Sequence, residues 1–254
     1  MTANQTVDAA PSPREIPLGP GAIFPDWSVV NSDKARAVVD AFIDLASLED
    51  RWRGIGEEED SVRRAVLRHY AARGHAPSIA ALGDMTGLGS DAVRGLLKQL
   101  KGRDLILLDD AGETILGAYP FTERDTGHRV EFGEMTVSAM CAIDALGVGA
   151  MCDRDVAIHS SCRACGEAIE IATRDRGAAL DRVTPEGAVV WVGLRYAGAC
   201  AASSLCTVMT FFCSDAHLDR WRDAEYPDLN GIRLSIDEAT QAGKAIFTPM
   251  LAGT

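Results

Sequence analysis

From Ser32 onward apolar residues recur at three- and four-residue spacing: Ala37, Val38, Ala41, Phe42, Leu45 and Leu48. That period predicts an amphipathic helix opened by Ser32 as its cap. Glu57, Glu58, Glu59 and Asp60 read as the solvated start of the next helix, where acidic side chains suit the positive end of the helix dipole. The pattern then predicts helices over 61–70, 78–85 and 89–100, with Gly74, Pro77, Gly87 and Gly89 at the turns. Strands at 105–108 and 114–116 follow, joined across Asp109-Asp110-Ala111-Gly112. Three helices and a hairpin make a winged-helix-like pattern. Beyond Ala118 the chain turns strand-rich, with short runs at 129–132, 156–159, 168–171, 188–194 and 209–212. Among them, 137–150 reads as a buried helix, and 236–247 as a final one. Residues 1–30, with Pro11, Pro13, Pro17, Pro20 and Pro25, read as a flexible Pro/Gly-rich arm.

Composition narrows the function classes. In 254 residues, 47% hydrophobic and 24% charged, the mix is that of a globular chain and excludes a wholly disordered one. Asp plus Glu outnumber Lys plus Arg by 37 to 25, which leaves a net charge of −12 and argues against a general nucleic-acid or anionic-membrane binder. Residues 61–105 run the other way, with eight basic and three acidic side chains. Two readings follow. In one, Arg94, Lys98, Lys101 and Arg103 contact DNA; in the other, the unit is a scaffold whose basic face balances acidic neighbours. The third helix supplies a core face in Val93, Leu96, Leu97 and Leu100 but no polar set to read bases, and Asp91 sits near the expected phosphate path. The scaffold reading is preferred, and no nucleic-acid partner is expected. No apolar run approaches the ~18 residues of a membrane span, and the first residues lack the apolar stretch of a secretion signal, so the expectation is a cytoplasmic protein with no membrane partner.

Seven cysteines, an odd number, all fall between Cys141 and Cys213. This is not a disulfide framework; core residues, metal ligands or reactive thiols remain. If 137–150 is helical, Cys141 and Asp144 share one face among Met140, Ala142, Ile143, Ala145 and Leu146. Burial there raises the pKa of a carboxyl group and leaves a proton donor and acceptor beside a thiol. The plainer alternative is a buried Cys acting as a small hydrophobe, with Asp capping a helix end; both stay open. Cys206 precedes the apolar run 208–212, from which it can project toward Cys141, and two thiolates from separate elements suit a soft metal. Cys162-Arg-Ala-Cys165-Gly166, with His159 three residues before, is a weak zinc signal because a second ligand pair is missing. It reads as a turn carrying buried or turn cysteines. His69, His75, His128 and His217 form no spaced cluster, and nucleotide-binding and serine-hydrolase motifs are absent.

Taken in order, Gly117-Ala-Tyr-Pro-Phe121, His128-Arg-Val130, Met140-Cys-Ala-Ile-Asp-Ala-Leu146, His159-Ser-Ser-Cys162 and Cys206 ahead of Phe211-Phe212 resemble the alkylmercury (organomercurial) lyases over about residues 60–250. The resemblance implies that Cys141 and Cys206 are the mercury-binding thiols, Asp144 their acid partner, and Cys162 a structural cysteine. Cys152, Cys165, Cys200 and Cys213 are extras, the surroundings of Cys206 are poorly similar, and the first 60 residues are unlike the family. The implied reaction is protonolysis of a carbon–mercury bond in a small organomercurial, giving a hydrocarbon and Hg(II). Cellular thiols or a mercuric reductase would remove the Hg(II), and no resident cofactor is expected. The competing class is a winged-helix transcriptional regulator that senses a thiophilic metal through its clustered cysteines. The fold expected is α+β: a flexible arm over 1–30, a winged-helix-like scaffold over 31–118, and over 119–254 a catalytic domain of mixed or antiparallel sheet with a buried catalytic helix.

Overall fold

The computed structural model describes residues 14–19, 22–197 and 200–252. An antiparallel hairpin, β1 (Ile16–Gly19) and β2 (Ala22–Phe24), leads into five helices: α1 (Asp33–Leu45), α2 (Leu48–Trp52), α3 (Glu57–Arg73), α4 (Ile79–Thr86) and α5 (Ser90–Gly102). Next come β3 (Ile106–Leu108), β4 (Ile115–Ala118), β5 (Phe121–Thr122), β6 (Arg129–Phe132) and β7 (Met135–Ala139), and then helix α6 (Ala142–Cys152). Strands β8 (Ala157–Ser161), β9 (Ala168–Arg174), β10 (Ala179–Thr184), β11 (Val189–Gly193) and β12 (Met209–Phe212) follow. Helix α7 (Asp215–Glu225), β13 (Gly231–Ser235) and α8 (Ile236–Leu251) complete the fold. It is a mixed α+β architecture with antiparallel sheets: one of eight strands in the order β10-β9-β8-β6-β7-β5-β4-β3, one of three in the order β12-β11-β13. Among the described residues no helix is long and apolar enough to cross a membrane.

Helix α6 lies at the centre. Nine of its eleven residues are buried, Leu146 and Val148 among them, and each such aliphatic side chain contributes roughly 1.5–3 kcal/mol of burial. Its partner is α8, opened by a capping box of Ser235 and Glu238. The two helices meet at glycines. A Cβ on Gly147 would stand 2.4 Å from Phe247 Cδ2 and 2.7 Å from the Gly243 carbonyl, and one on Gly243 would stand 2.8 Å from the Ile143 carbonyl. Backbones can approach this closely only where no side chain intervenes.

Several expectations need correction. The stretch 137–150 is not one helix: Val137 and Ala139 belong to β7, and α6 starts only after Cys141. The strand's buried residues, Val137 and Ala139, run straight into the apolar, buried start of α6, and so short a stretch of alternation does not stand apart from the helix. The acidic start of α3 is only half solvated. Asp60 is 5% exposed and accepts hydrogen bonds from Arg63 and Arg64 at 2.7–2.8 Å, while Glu59 accepts one from Arg103 at 2.6 Å. Part of the segment read as an arm is a packed hairpin, with Leu18 and Phe24 fully buried. Its connection to the C-terminal part is direct, through a hydrogen bond from the Asp26 amide to the Ala245 carbonyl and from the Asn31 and Ser32 amides to Gln241 Oε1. Pro11, Pro13 and Pro20 lie outside the described residues.

Candidate active site

Cys141 sits in extended backbone between β7 and α6 and is the cap of the helix, not a member of it. Its Sγ accepts the Asp144 amide at 3.4 Å, in the way a serine hydroxyl caps a helix. The sequence spacing Cys-x-x-Asp therefore records a cap and its third helical residue. This geometry turns sulfur and carboxyl group to the same side, at the positive end of the helix dipole.

Cys206 arrives from the opposite direction, in a single 3-10 turn that runs into β12. Its sulfur lies 3.8 Å from Asp144 Oδ2, and one donor atom from each of Cys141, Asp144 and Cys206 falls within 4.8 Å of the others. All three residues are buried, at 2%, 3% and 7% exposure. The three residues singled out in the sequence thus come together. Met209 was not foreseen: its Sδ is 3.8 Å from Cys141 Sγ and adds a third soft sulfur.

Burial dominates the electrostatics. It pushes the Asp144 carboxyl group up to about 7, against hydrogen bonds from both cysteines that favour the ionised form. Burial likewise raises the Cys141 thiol. Cys206 is held well above the ordinary thiol range, first by its hydrogen bond to Cys141 and then by burial. At neutral pH both thiols therefore carry their protons while the carboxyl group is near its midpoint, so it can accept a proton or return one.

These groups line a mostly apolar cavity. Phe42, Leu48, Trp52 and Leu67 come from α1 to α3, Phe247 and Met250 from α8, and Phe24 from the N-terminal hairpin. Asp104, another residue that the sequence pattern did not reveal, stands at the rim at 8% exposure. Its carboxylate is 2.9 Å from Arg51 and accepts hydrogen bonds from the hydroxyls of Tyr119 (3.1 Å) and Tyr196 (3.2 Å) and from the Ala201 amide (2.8 Å). The Ala202 amide in turn donates to Tyr119 at 2.9 Å. This network pins the segment that delivers Cys206.

The remaining sequence features fall elsewhere. Cys162 and Cys165 are joined by Cys213 and His217 in a second group of four. His159, expected as the histidine nearest that pair, instead lies 3.3 Å from Glu131 on the neighbouring strand. The reading of His217 as isolated is therefore corrected, because the fold supplies partners that the sequence holds far apart. Cys152 is half-buried at the end of α6, and burial pushes its thiol up to about 12. On α5, Arg94 is paired with Glu113 and Asp91 at 3.0 Å.

Residues 121–248 match the alkylmercury lyase family MerB. A curated relative, the alkylmercury lyase of Staphylococcus epidermidis, is 28% identical over 160 residues, which cover 63% of this chain and 69% of that protein. Among solved structures, the mercury-bound form of MerB2 superposes with a TM-score of 0.69 at 26% identity, covering 82% of this chain and 98% of that one. With a match over half its length, the chain belongs to the alkylmercury lyase family, enzymes that cleave carbon–mercury bonds.

Proposed function

We propose that the chain carries out protonolysis of organomercurials with Cys141, Asp144 and Cys206 as its working groups. The observation that carries this reading is the convergence of two buried thiols and a buried carboxyl group on the wall of an apolar cavity. A carbon–mercury bond resists water because the carbon is a poor base. Cleavage needs electron donation to mercury while a proton reaches carbon. One thiol gives its proton to Asp144, and its sulfur bonds to mercury with loss of the original counter-anion. The second thiol bonds to mercury as the carbon leaves with the proton returned by Asp144. The products are the hydrocarbon, a bis-thiolate Hg(II) and one proton released with the counter-anion, and Asp144 regains its starting state.

The apolar walls suit the hydrocarbon part of the substrate. They also keep Asp144 protonable near neutral pH. Small cellular thiols or a mercuric reductase then strip Hg(II) from the cysteines, in a cytoplasmic setting. The three-helix and hairpin unit from α3 to β4, winged-helix-like in outline, acts as a scaffold. In support, Arg94 and Arg103 are engaged by carboxylates of the chain itself, and α3 contributes Arg63 and Leu67 to the cavity wall.

The test is turnover of phenylmercury under excess small thiol, following released benzene in the wild type and in Cys141→Ala. Catalytic benzene release that disappears in the variant supports the assignment. Stoichiometric mercury binding without benzene would overturn it.

A further inference from the structure

We propose that Cys162, Cys165, Cys213 and His217 form a structural zinc site separate from the cavity, departing from the expectation that the chain has no resident cofactor. One donor atom from each of the four lies within 4.8 Å of all the others. Three thiolates and one imidazole are a closed donor set that tetrahedral Zn²⁺ accepts without an open position for chemistry. With Zn–S bonds near 2.3 Å, the edges of such a tetrahedron are about 3.8 Å. The Cys165–Cys213 sulfurs are 3.8 Å apart, and Cys162 Sγ is 3.7 Å from His217 Nδ1. Cys213 Sγ and His217 Nδ1 are closer, at 2.8 Å, a hydrogen-bond length that opens by under an ångström when an ion enters.

The backbone around Cys162 is that of a metal-binding turn. The turn closes through the Gly166 amide on the Cys162 carbonyl at 2.8 Å, with Gly166 at φ +77°, a conformation that costs glycine little. Cys213 directly precedes Ser214, the cap of α7, so Cys-x-x-x-His carries its histidine in the first turn of the helix. The missing second ligand pair of the Cys-x-x-Cys motif is this one. Cys162 and Cys213 are buried, whereas Cys165 is exposed and leaves the site open to loading from solvent.

The place in the fold gives the ion a role. Cys162 and Cys165 belong to the turn between β8 and β9 of the large sheet, and Cys213 directly follows β12 of the small one. Among the described residues, one backbone–backbone hydrogen bond joins these two segments, from the Arg163 amide to the Phe211 carbonyl at 3.0 Å. Zinc would staple the two sheets at the far end of β12, whose near end carries Met209 beside the active-site cysteines.

The experiment measures metal in the full chain purified under reducing conditions, by elemental mass spectrometry, and then replaces it with Co²⁺. The expected result is about one zinc per chain and the absorption of tetrahedral, thiolate-rich cobalt. Cys165→Ser and His217→Ala should each weaken Co²⁺ binding about tenfold or more, while Cys141→Ala keeps the full zinc content. Cys165→Ser, an exposed position, serves as the folded test case if His217→Ala is insoluble. A chain that binds neither zinc nor cobalt overturns the proposal. So does zinc that survives in both ligand variants or is lost in Cys141→Ala.

Discussion

Replacing Asp144 with Asn should give a protein that is more stable above neutral pH and unable to turn over. The wild-type carboxyl group titrates near 7 in the folded chain against an ordinary value of 3.8, because burial disfavours its charge. A raised carboxyl pKa means that the folded state holds its proton at pH values where the unfolded state has released it. Its contribution to stability is intact below about pH 4, declines as pH rises through the interval between the two values, and is fully lost above 7. Three pKa units at about 1.4 kcal/mol each set the loss at roughly 4 kcal/mol. Asn cannot ionise and escapes this penalty. Urea denaturation followed by tryptophan fluorescence, under reducing conditions, should therefore find Asp144→Asn ahead of the wild type at pH 8 by up to about 4 kcal/mol, with the gap closing as pH falls toward 4. Benzene release should drop by about a hundredfold or more, the ordinary scale for a lost proton-transfer group. A stability difference that ignores pH would refute the buried-carboxyl argument, and unchanged turnover would remove Asp144 from the reaction.

Three further outcomes are expected. Gly147→Ala forces a methyl group against Phe247 and the Gly243 carbonyl and should cost about 1–3 kcal/mol, read as a lower denaturation midpoint with an unchanged slope. Asp104→Ala leaves Arg51 without its carboxylate and deprives the Ala201 amide and the Tyr119 and Tyr196 hydroxyls of their acceptor. It should lower stability by about 3 kcal/mol and reduce kcat more than it raises KM, because Cys206 is no longer held in place. Cys206→Ser should lose both turnover and tight Hg(II) retention, the latter measured by dialysis against a competing thiol, while keeping the wild-type melting temperature within a few degrees.

Periodicity was a good guide where one face of an element is buried and the other wet. Helices α1, α4 and α5 and the strand at 129–132 fall where the pattern puts them, while the strand at 209–212, buried at every position, showed as a continuous apolar run. It failed at the join of β7 and α6, because the alternation of Val137 and Ala139 around Ser138 is too short to read before the continuous buried run from Met140 to Ile143 begins. Helix α7 went unseen for the opposite reason: of its residues only Leu218 and Trp221 are buried, too few to make a stripe. The pairing of Cys141 with Asp144 was legible because it is local. Its union with Cys206 was suggested by the family resemblance, since separation along the chain carries no distance information. Asp104 looked like one more charged residue at a helix end, and its left-handed backbone (φ 55°) and inward turn are properties of the fold. Cys213 and His217 were visible as residues but not as partners, for they complete a turn of the other sheet, with 48 positions along the chain from Cys165 to Cys213.

The cavity draws its walls from both ends of the described chain. Phe24 comes from the first hairpin, Phe247 and Met250 from the last helix, and the Asp26 amide bonds to the Ala245 carbonyl across the join. During synthesis, the segment holding Cys141, Asp144 and Cys206 leaves the ribosome before α8 exists to close over it. The nascent chain therefore passes through a stage in which these thiols are wet, ordinary and open to any mercurial in the cell, and the shielded, proton-holding pocket arises only when the final turn of α8 is laid down.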